Sequence, residues 1–286
     1  MTQIISISGK MQSGKNTCCN FILGHCLSSL GIVRDGFNIT DLGQLYVNDI
    51  FGDKRHAGIF DIYNNGPKFQ EFRKQHIDKY IKVYSYAYLL KKNICVDIMG
   101  LPYEKVFGTN DQKNELTEYR WKDMPGIISN EIIYDILLET FNYAKPNADA
   151  LISSELGTYH NQSGLYMSIR EVMQYMGTSI FRKLNSDIWT KATLRQIKED
   201  DTQLALICDP RFPNEIIMPK QLGGLSIRLT RDPYPENQHE SEIALNQENF
   251  DWDNFDFILD NKEMSISDQN MALYNIMTDL GLITGE

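Results

Sequence analysis

Ile4-Ile5-Ser6-Ile7-Ser8 runs straight into Gly9-Lys10-Met11-Gln12-Ser13-Gly14-Lys15-Asn16-Thr17. The order is a short apolar strand, a glycine-bounded loop, a lysine and a helix start, which together describe a phosphate cradle. Gly9 and Gly14 permit a tight turn and a close approach of backbone to phosphate. Successive loop amides, those of Gln12 and Ser13 among them, form an inward-facing nest, and the helix beginning near Lys15 adds its positive dipole end. Lys15 supplies a mobile cation for phosphates. Asn16 stands where Ser or Thr commonly follows that lysine, and Thr17 comes next with the better hydroxyl for a magnesium-bound nucleotide.

Outward from this motif, residues 15–31 read as a helix with Phe21, Ile22, Leu23, Cys26 and Leu30 on its apolar stripe and Gly31 as its stop. Residues 32–66, punctuated by glycines, read as a β-rich insertion with one or two hairpins. A helix over 67–79, a strand over 81–86 and a helix over 87–99 follow. Turns are expected at 101–103 and 124–126, a helix over 130–144, and a polar loop over 145–165. Beyond it come helices over 168–184 and 187–200, a strand over 204–208, a helix over 213–222, strands over 225–230 and 255–259, and a helix over 266–280. Strands without a polar face, alternating with helices, imply a mostly parallel central sheet covered on both sides. The expectation is a three-layer α/β sandwich forming one domain over 1–286, with 32–66 inserted and with 145–165 and 231–245 as candidate lid loops.

Acidic residues outnumber basic ones, 38 to 28, for a net charge of −10. That balance argues against tracking along nucleic acid and requires a local basic pocket for any anionic ligand. No apolar stretch approaches the roughly 18 residues of a membrane span, and Met1-Thr2-Gln3 lacks the basic start of a secretory signal. The 5 cysteines, Cys18 and Cys19 adjacent, show no metal-ligand spacing. They read as buried reduced thiols of a cytosolic protein.

Three further constellations bear on chemistry. Asp209-Pro210-Arg211 follows an apolar strand, where ligands of open α/β sheets collect. Asp209 can hold a magnesium shell through water and Arg211 can reach a transferring phosphoryl group. The other reading is a turn in which Asp209 caps the next helix and Arg211 pairs with Glu215. Arg170, Gln174 and Gly177 share one helical face. Arg170 suits bidentate capture of a monophosphate and Gln174 a base edge, although a plain solvated face has the same spacing. His239-Glu240-Ser241-Glu242 lacks a metal partner of suitable spacing and reads as a polar loop or helix cap.

With these residues in hand, the chain resembles the bacteriophage deoxynucleoside monophosphate kinases, within the P-loop kinase group that includes adenylate and thymidylate kinases. The resemblance rests on Ser8-Gly9 with Ser13–Thr17, Tyr84–Lys91, Arg170 with Gln174–Thr178, Phe181–Lys183, Trp189–Lys191, Asp209–Glu215, Ile227–Arg231 and His239–Glu242. It implies a fold of the P-loop NTPase type, with ATP at Gly9, Gln12, Ser13, Gly14, Lys15, Asn16 and Thr17. It also implies Mg²⁺ near Thr17 and Asp209, and a deoxynucleotide acceptor against Lys91, Arg170, Gln174, Gly177, Thr178 and Trp189. Lys15, Asp209 and Arg211 would serve the transfer. The partner implied is a nucleoside monophosphate, with neither nucleic acid nor membrane, and a homodimer is compatible. The location implied is cytoplasmic, in the host if the chain is phage-encoded. Tyr88-Leu89 stands where such kinases often carry Asp-Pro. The rival expectations are a kinase of another small phosphorylated acceptor and a nucleotide-binding regulatory protein without an acceptor.

Overall fold

After its first residue, every position of the strand Gln3–Ser8 is buried, so this strand has no solvent face and must lie inside a sheet covered on both sides. The structure, a computed structural model, describes residues 2–64, 66–124, 165–236 and 239–282. In chain order the elements are β1 (Gln3–Ser8), α1 (Lys15–Ser29), β2 (Phe37–Ile39), β3 (Leu45–Val47), β4 (Gly58–Ile59), α2 (Pro67–His76), β5 (Ile81–Tyr84), α3 (Leu90–Ile98), α4 (Tyr103–Val106), α5 (Asn110–Asn114) and β6 (Leu116–Arg120). They continue with β7 (Tyr166–Ser168), α6 (Ile169–Gln174), α7 (Tyr175–Arg182), α8 (Ile188–Asp200), β8 (Leu204–Ile207), α9 (Pro213–Gln221), β9 (Leu225–Leu229), α10 (Glu240–Ile243), β10 (Phe257–Leu259) and α11 (Ile266–Asp279). The expected helix over 130–144 and, apart from Leu165, the expected loop over 145–165 lie outside the described residues.

The chain divides into two compact units, residues 1–86 with 189–286, and residues 87–188. The first holds a five-stranded sheet in the order β10-β9-β1-β8-β5, every neighbouring pair parallel. The architecture is α/β with helices flanking an all-parallel sheet. Ile5 and Ile7 of β1, Leu206 of β8 and Ile227 and Leu229 of β9 join Ile22, Leu23 and Leu27 of α1 and Leu273 and Met277 of α11 in one core. Each fully buried isoleucine or leucine there contributes about 1.5–3 kcal/mol. Ile216 of α9 belongs to a second cluster with Leu245, Phe250 and Phe255.

Within residues 32–66, β2, β3 and β4 form a three-stranded antiparallel sheet. Asp49, fully buried, organises its base by accepting from the amides of Asp35 (2.7 Å), Arg34 (2.8 Å) and Gly52 (2.5 Å). These bonds hold its carboxyl below the usual range. The sheet rests on α1: Asn20 Nδ2 donates to Gly43 O at 2.9 Å.

In the second unit β6 and β7 pair antiparallel, an arrangement the sequence pattern did not announce. Cys95, Val106, Met167, Ile169 and Val172 are buried there. The start of α6 is set by a capping box: Ser168 Oγ accepts from Glu171 N (3.2 Å), and Glu171 Oε2 accepts from Ser168 N (2.7 Å). Both α3 and α7 wind with the wide i to i+5 spacing of a π-helix. Among the described residues no helix is long and apolar enough to cross a membrane.

One expectation is corrected. Cys19 of α1 and Cys208, just past β8, are joined by a disulfide, while Cys18, Cys26 and Cys95 are free. The cause is topological. β8 lies beside β1, α1 grows out of β1, and the crossover therefore sets residue 208 against the first turns of α1 across a separation of 189 residues. Alkylation of the denatured, unreduced protein should therefore modify 3 cysteines, and reduction first should raise this to all 5, read by intact mass.

Candidate functional site

The loop after β1 is a tight turn built on left-handed residues. Gln12 (φ 58°) and Gly14 (φ 102°) both adopt left-handed conformations, and Ser13 N donates to Lys10 O at 3.2 Å. Gln12 is not a glycine, so its conformation costs roughly 1 kcal/mol and persists only because its surroundings impose it. A Cβ on Gly9 would come within 2.3 Å of Ser13 Oγ and 3.1 Å of Leu229 Cβ, so glycine lets the turn pack here without displacing either. α1 begins at Lys15 with no side-chain cap at Gly14 and no acidic residue in its first turn. Its first amides are thus left for an anion.

The loop is held from behind by residues that sequence reasoning did not single out. Asn261, fully buried just past β10, donates to Ser13 O (2.8 Å) and to Gln269 Oε1 (2.6 Å), and accepts from Arg231 N (2.9 Å). Tyr234 donates to Gln12 Oε1 at 2.8 Å. Nothing in local spacing marks Asn261. Its position follows from β10 joining the sheet edge beyond β9.

Lys15 is 8% exposed and folds over its own loop, donating to Gly9 O at 2.8 Å and to Lys10 O. Burial, followed by the nearby positive charges of Arg211 and Arg228, pushes its pKa down to about 7, with Asp209 opposing. Arg228, in register with Ser8 on the neighbouring strand, is a second cation that sequence reasoning left unassigned. It is 4% exposed, donates to Ser8 Oγ at 2.9 Å, and lies over Trp252 and Phe255 at 5.1 and 5.7 Å. Its Nε is buried without a hydrogen-bond partner among the described residues. Burial foremost lowers its pKa to about 10. Lys10 pairs with Asp232 at 3.7 Å. The strand ends therefore gather positive charge at one edge of an acidic protein.

The Asp209 carboxylate accepts from Ser85 Oγ (2.5 Å) and Tyr86 N (2.9 Å), which fixes it at the C-terminal edge between β5 and β8. The cap of α9 is Glu215, which takes Arg211 N (2.6 Å) and Phe212 N (3.1 Å). The Arg211 guanidinium pairs with Glu242. His239 caps α10, as expected of that segment, with Nδ1 accepting from Ser241 N at 3.2 Å. Thr17 is half-buried, and Gly43 (φ 73°) presses on its hydroxyl so closely that a Cβ there would lie 2.3 Å from Oγ1. Asn16 is exposed on the first turn. For magnesium, which takes one or two carboxylates together with ligand phosphates and water, Asp209 fits the donor set. Among the described residues no cluster of three or more His, Cys, Asp or Glu could hold a metal alone.

The acceptor candidates divide. Lys91, Arg170, Gln174, Gly177 and Thr178 belong to the second unit, whereas Trp189, buried in the first turn of α8, belongs to the first. Arg170 is held by α5, donating from Nε to Asn114 Oδ1 and from Nη2 to Asn110 Oδ1, each at 3.0 Å. Lys91 lies over the Phe107 ring at 5.6 Å, and that ring stacks on Tyr103 at 4.4 Å. Lys113, absent from the sequence-based set, donates to Gly108 O at 2.6 Å. Burial, then Lys91 and Arg170, push its pKa down to about 8. Three cations thus share one neighbourhood. Gln174 and Thr178 are half-buried. Gly177 has a packing reason of its own, since a Cβ would meet Leu90 Cδ2 at 2.6 Å.

No family model matches the chain, and no curated protein matches it. The geometry above is therefore what bears on function.

Lys15 should weaken the fold. Its folded pKa lies below its unfolded value, so between about 7 and the ordinary lysine range the unfolded chain binds a proton that the folded one lacks, and stability rises with pH across that window. Lys15→Met should melt at a higher temperature than the parent below neutral pH, with the gap narrowing towards alkaline pH. Thermal denaturation of both proteins across pH checks this. A variant that melts lower throughout contradicts it.

Proposed function

We propose that the chain is an ATP- and magnesium-dependent phosphotransferase that passes the γ-phosphoryl group of ATP to a (deoxy)nucleoside monophosphate, on a fold of the P-loop NTPase type. One observation carries the reading. A buried lysine, depressed to about 7 by its surroundings, sits under a left-handed loop whose helix start has no side-chain cap. That arrangement stores an unfavourable charge that a polyphosphate relieves. The second cation group, Lys91, Lys113 and Arg170 beside the Tyr103–Phe107 stack, supports a separate acceptor that carries both a phosphate and an aromatic base.

In this mechanism the acceptor phosphate is already a competent nucleophile near neutral pH, so no strong general base is required. Lys15 and the loop amides hold the donor phosphates, Arg211 neutralises charge on the transferring group, and Arg170 binds the acceptor phosphate. Magnesium, held by Asp209 through water and by the Thr17 hydroxyl, would offset charge on the donor phosphates.

The test is ADP release from Mg–ATP across the common deoxynucleoside and ribonucleoside monophosphates. At least one acceptor should stimulate release. Lys15→Ala should lower turnover roughly 100- to 1,000-fold. Lys113→Ala and Arg170→Ala should each raise the acceptor KM roughly tenfold, the cost of one charge-assisted bond, and leave ATP affinity unchanged. Tight ATP binding with no acceptor-dependent ADP would instead favour a nucleotide-binding regulator.

A further inference from the structure

Two amides of the loop are already taken, Ser13 N by Lys10 O and Met11 N by a carboxylate. Met11 N donates to Glu242 Oε2 at 3.1 Å, and the other carboxylate oxygen of Glu242 accepts from the Arg211 guanidinium. The Glu242 side chain is only 9% exposed, although it comes from α10, a helix of four residues far along the chain. A carboxylate that bridges a loop amide and an arginine makes the contacts that two phosphoryl oxygens would make. It also brings a negative charge to a place where Lys15, Arg211 and Arg228 crowd one another.

We infer that Glu242 is a resident phosphoryl mimic, holding the Met11 amide and Arg211 until the nucleotide phosphate displaces it. This rests on the kinase reading above and deepens it by naming the residue that sets the affinity threshold of the donor site. A polyphosphate carries more charge than a carboxylate and adds the α1 amides and Lys15 to its contacts, so it wins the exchange, whereas a weakly charged anion does not. Once displaced, α10 loses its side-chain tether to the loop. A four-residue helix, held by the bonds from Glu242 N and Ile243 N to His239 O and from Ala244 N to Glu240 O, frays without such an anchor.

Calorimetric titration with Mg–ATP of the parent, Glu242→Gln and Lys15→Met, together with hydrogen exchange of the parent with and without Mg–ATP, tests the inference. Glu242→Gln should bind about tenfold tighter, because the competing charge is gone, and residues 239–244 of the parent should exchange faster when ATP is bound. Equal or weaker binding by Glu242→Gln, or unchanged or slowed exchange at 239–244, overturns the inference. Lys15-dependent ATP binding with no gain in Glu242→Gln overturns it alone. Absence of ATP binding in the parent, or binding that ignores Lys15→Met, overturns the kinase reading and this inference with it. The exchange measurement needs no variant and so stands even if Glu242→Gln fails to fold.

Discussion

Burying the Lys15 ammonium beneath its own loop is the constraint around which the first unit is arranged. A desolvated cation is costly unless oxygen atoms surround it. Here those oxygens are the carbonyls of Gly9 and Lys10, which the left-handed residues Gln12 and Gly14 turn towards it. The turn packs closely because Gly9 leaves room for Ser13, and it keeps its shape because Asn261 grips Ser13 O from the far side of β9. Each of these contacts is local in space. Only some are local in sequence.

That distinction explains what could be read in advance. The β1–loop–α1 unit is contiguous, so glycine positions, the apolar run and Lys15 announced it directly. The all-parallel sheet was legible for a similar reason: β8 is an unbroken apolar run that the structure buries completely, although β9 alternates apolar residues with Ser226 and Arg228 and is buried almost as fully. Arg228 was visible only as an arginine in a strand. Its role depends on β9 lying beside β1 with Arg228 opposite Ser8, a register that no local pattern encodes. Asn261 and Lys113 were missed on the same grounds, and so were the pairing of Cys19 with Cys208 and that of Arg211 with Glu242, a residue read only as part of a polar loop or helix cap. The antiparallel pair β6 and β7 brackets a long intervening stretch, which removes the hairpin signal that nearby strands give.

The two cation groups are built differently, and each follows from its setting. In the first unit strand ends converge, so Lys15 and Arg228 are buried and the partners of the cations there include backbone carbonyls, the Ser8 hydroxyl and single carboxylates. In the second, short helices meet, and Arg170 is steadied by two neutral amides, Asn110 and Asn114. Neutral partners orient a guanidinium without discharging it, which leaves its field available to an anion. Sequence spacing had placed Arg170, Gln174 and Gly177 on one face. The structure adds that Gly177 answers to Leu90 and that the chain's own Lys113 completes the positive group.

The Cys19–Cys208 bond lies four positions beyond Lys15 at one end and next to Asp209 at the other. It therefore rivets the two segments that flank the loop into a single stiff jaw. Breathing between them is barred covalently, and any opening that admits or frees a ligand falls to parts attached by softer contacts: the β2–β3 hairpin leaning on Thr17 and the short helix that carries Glu242.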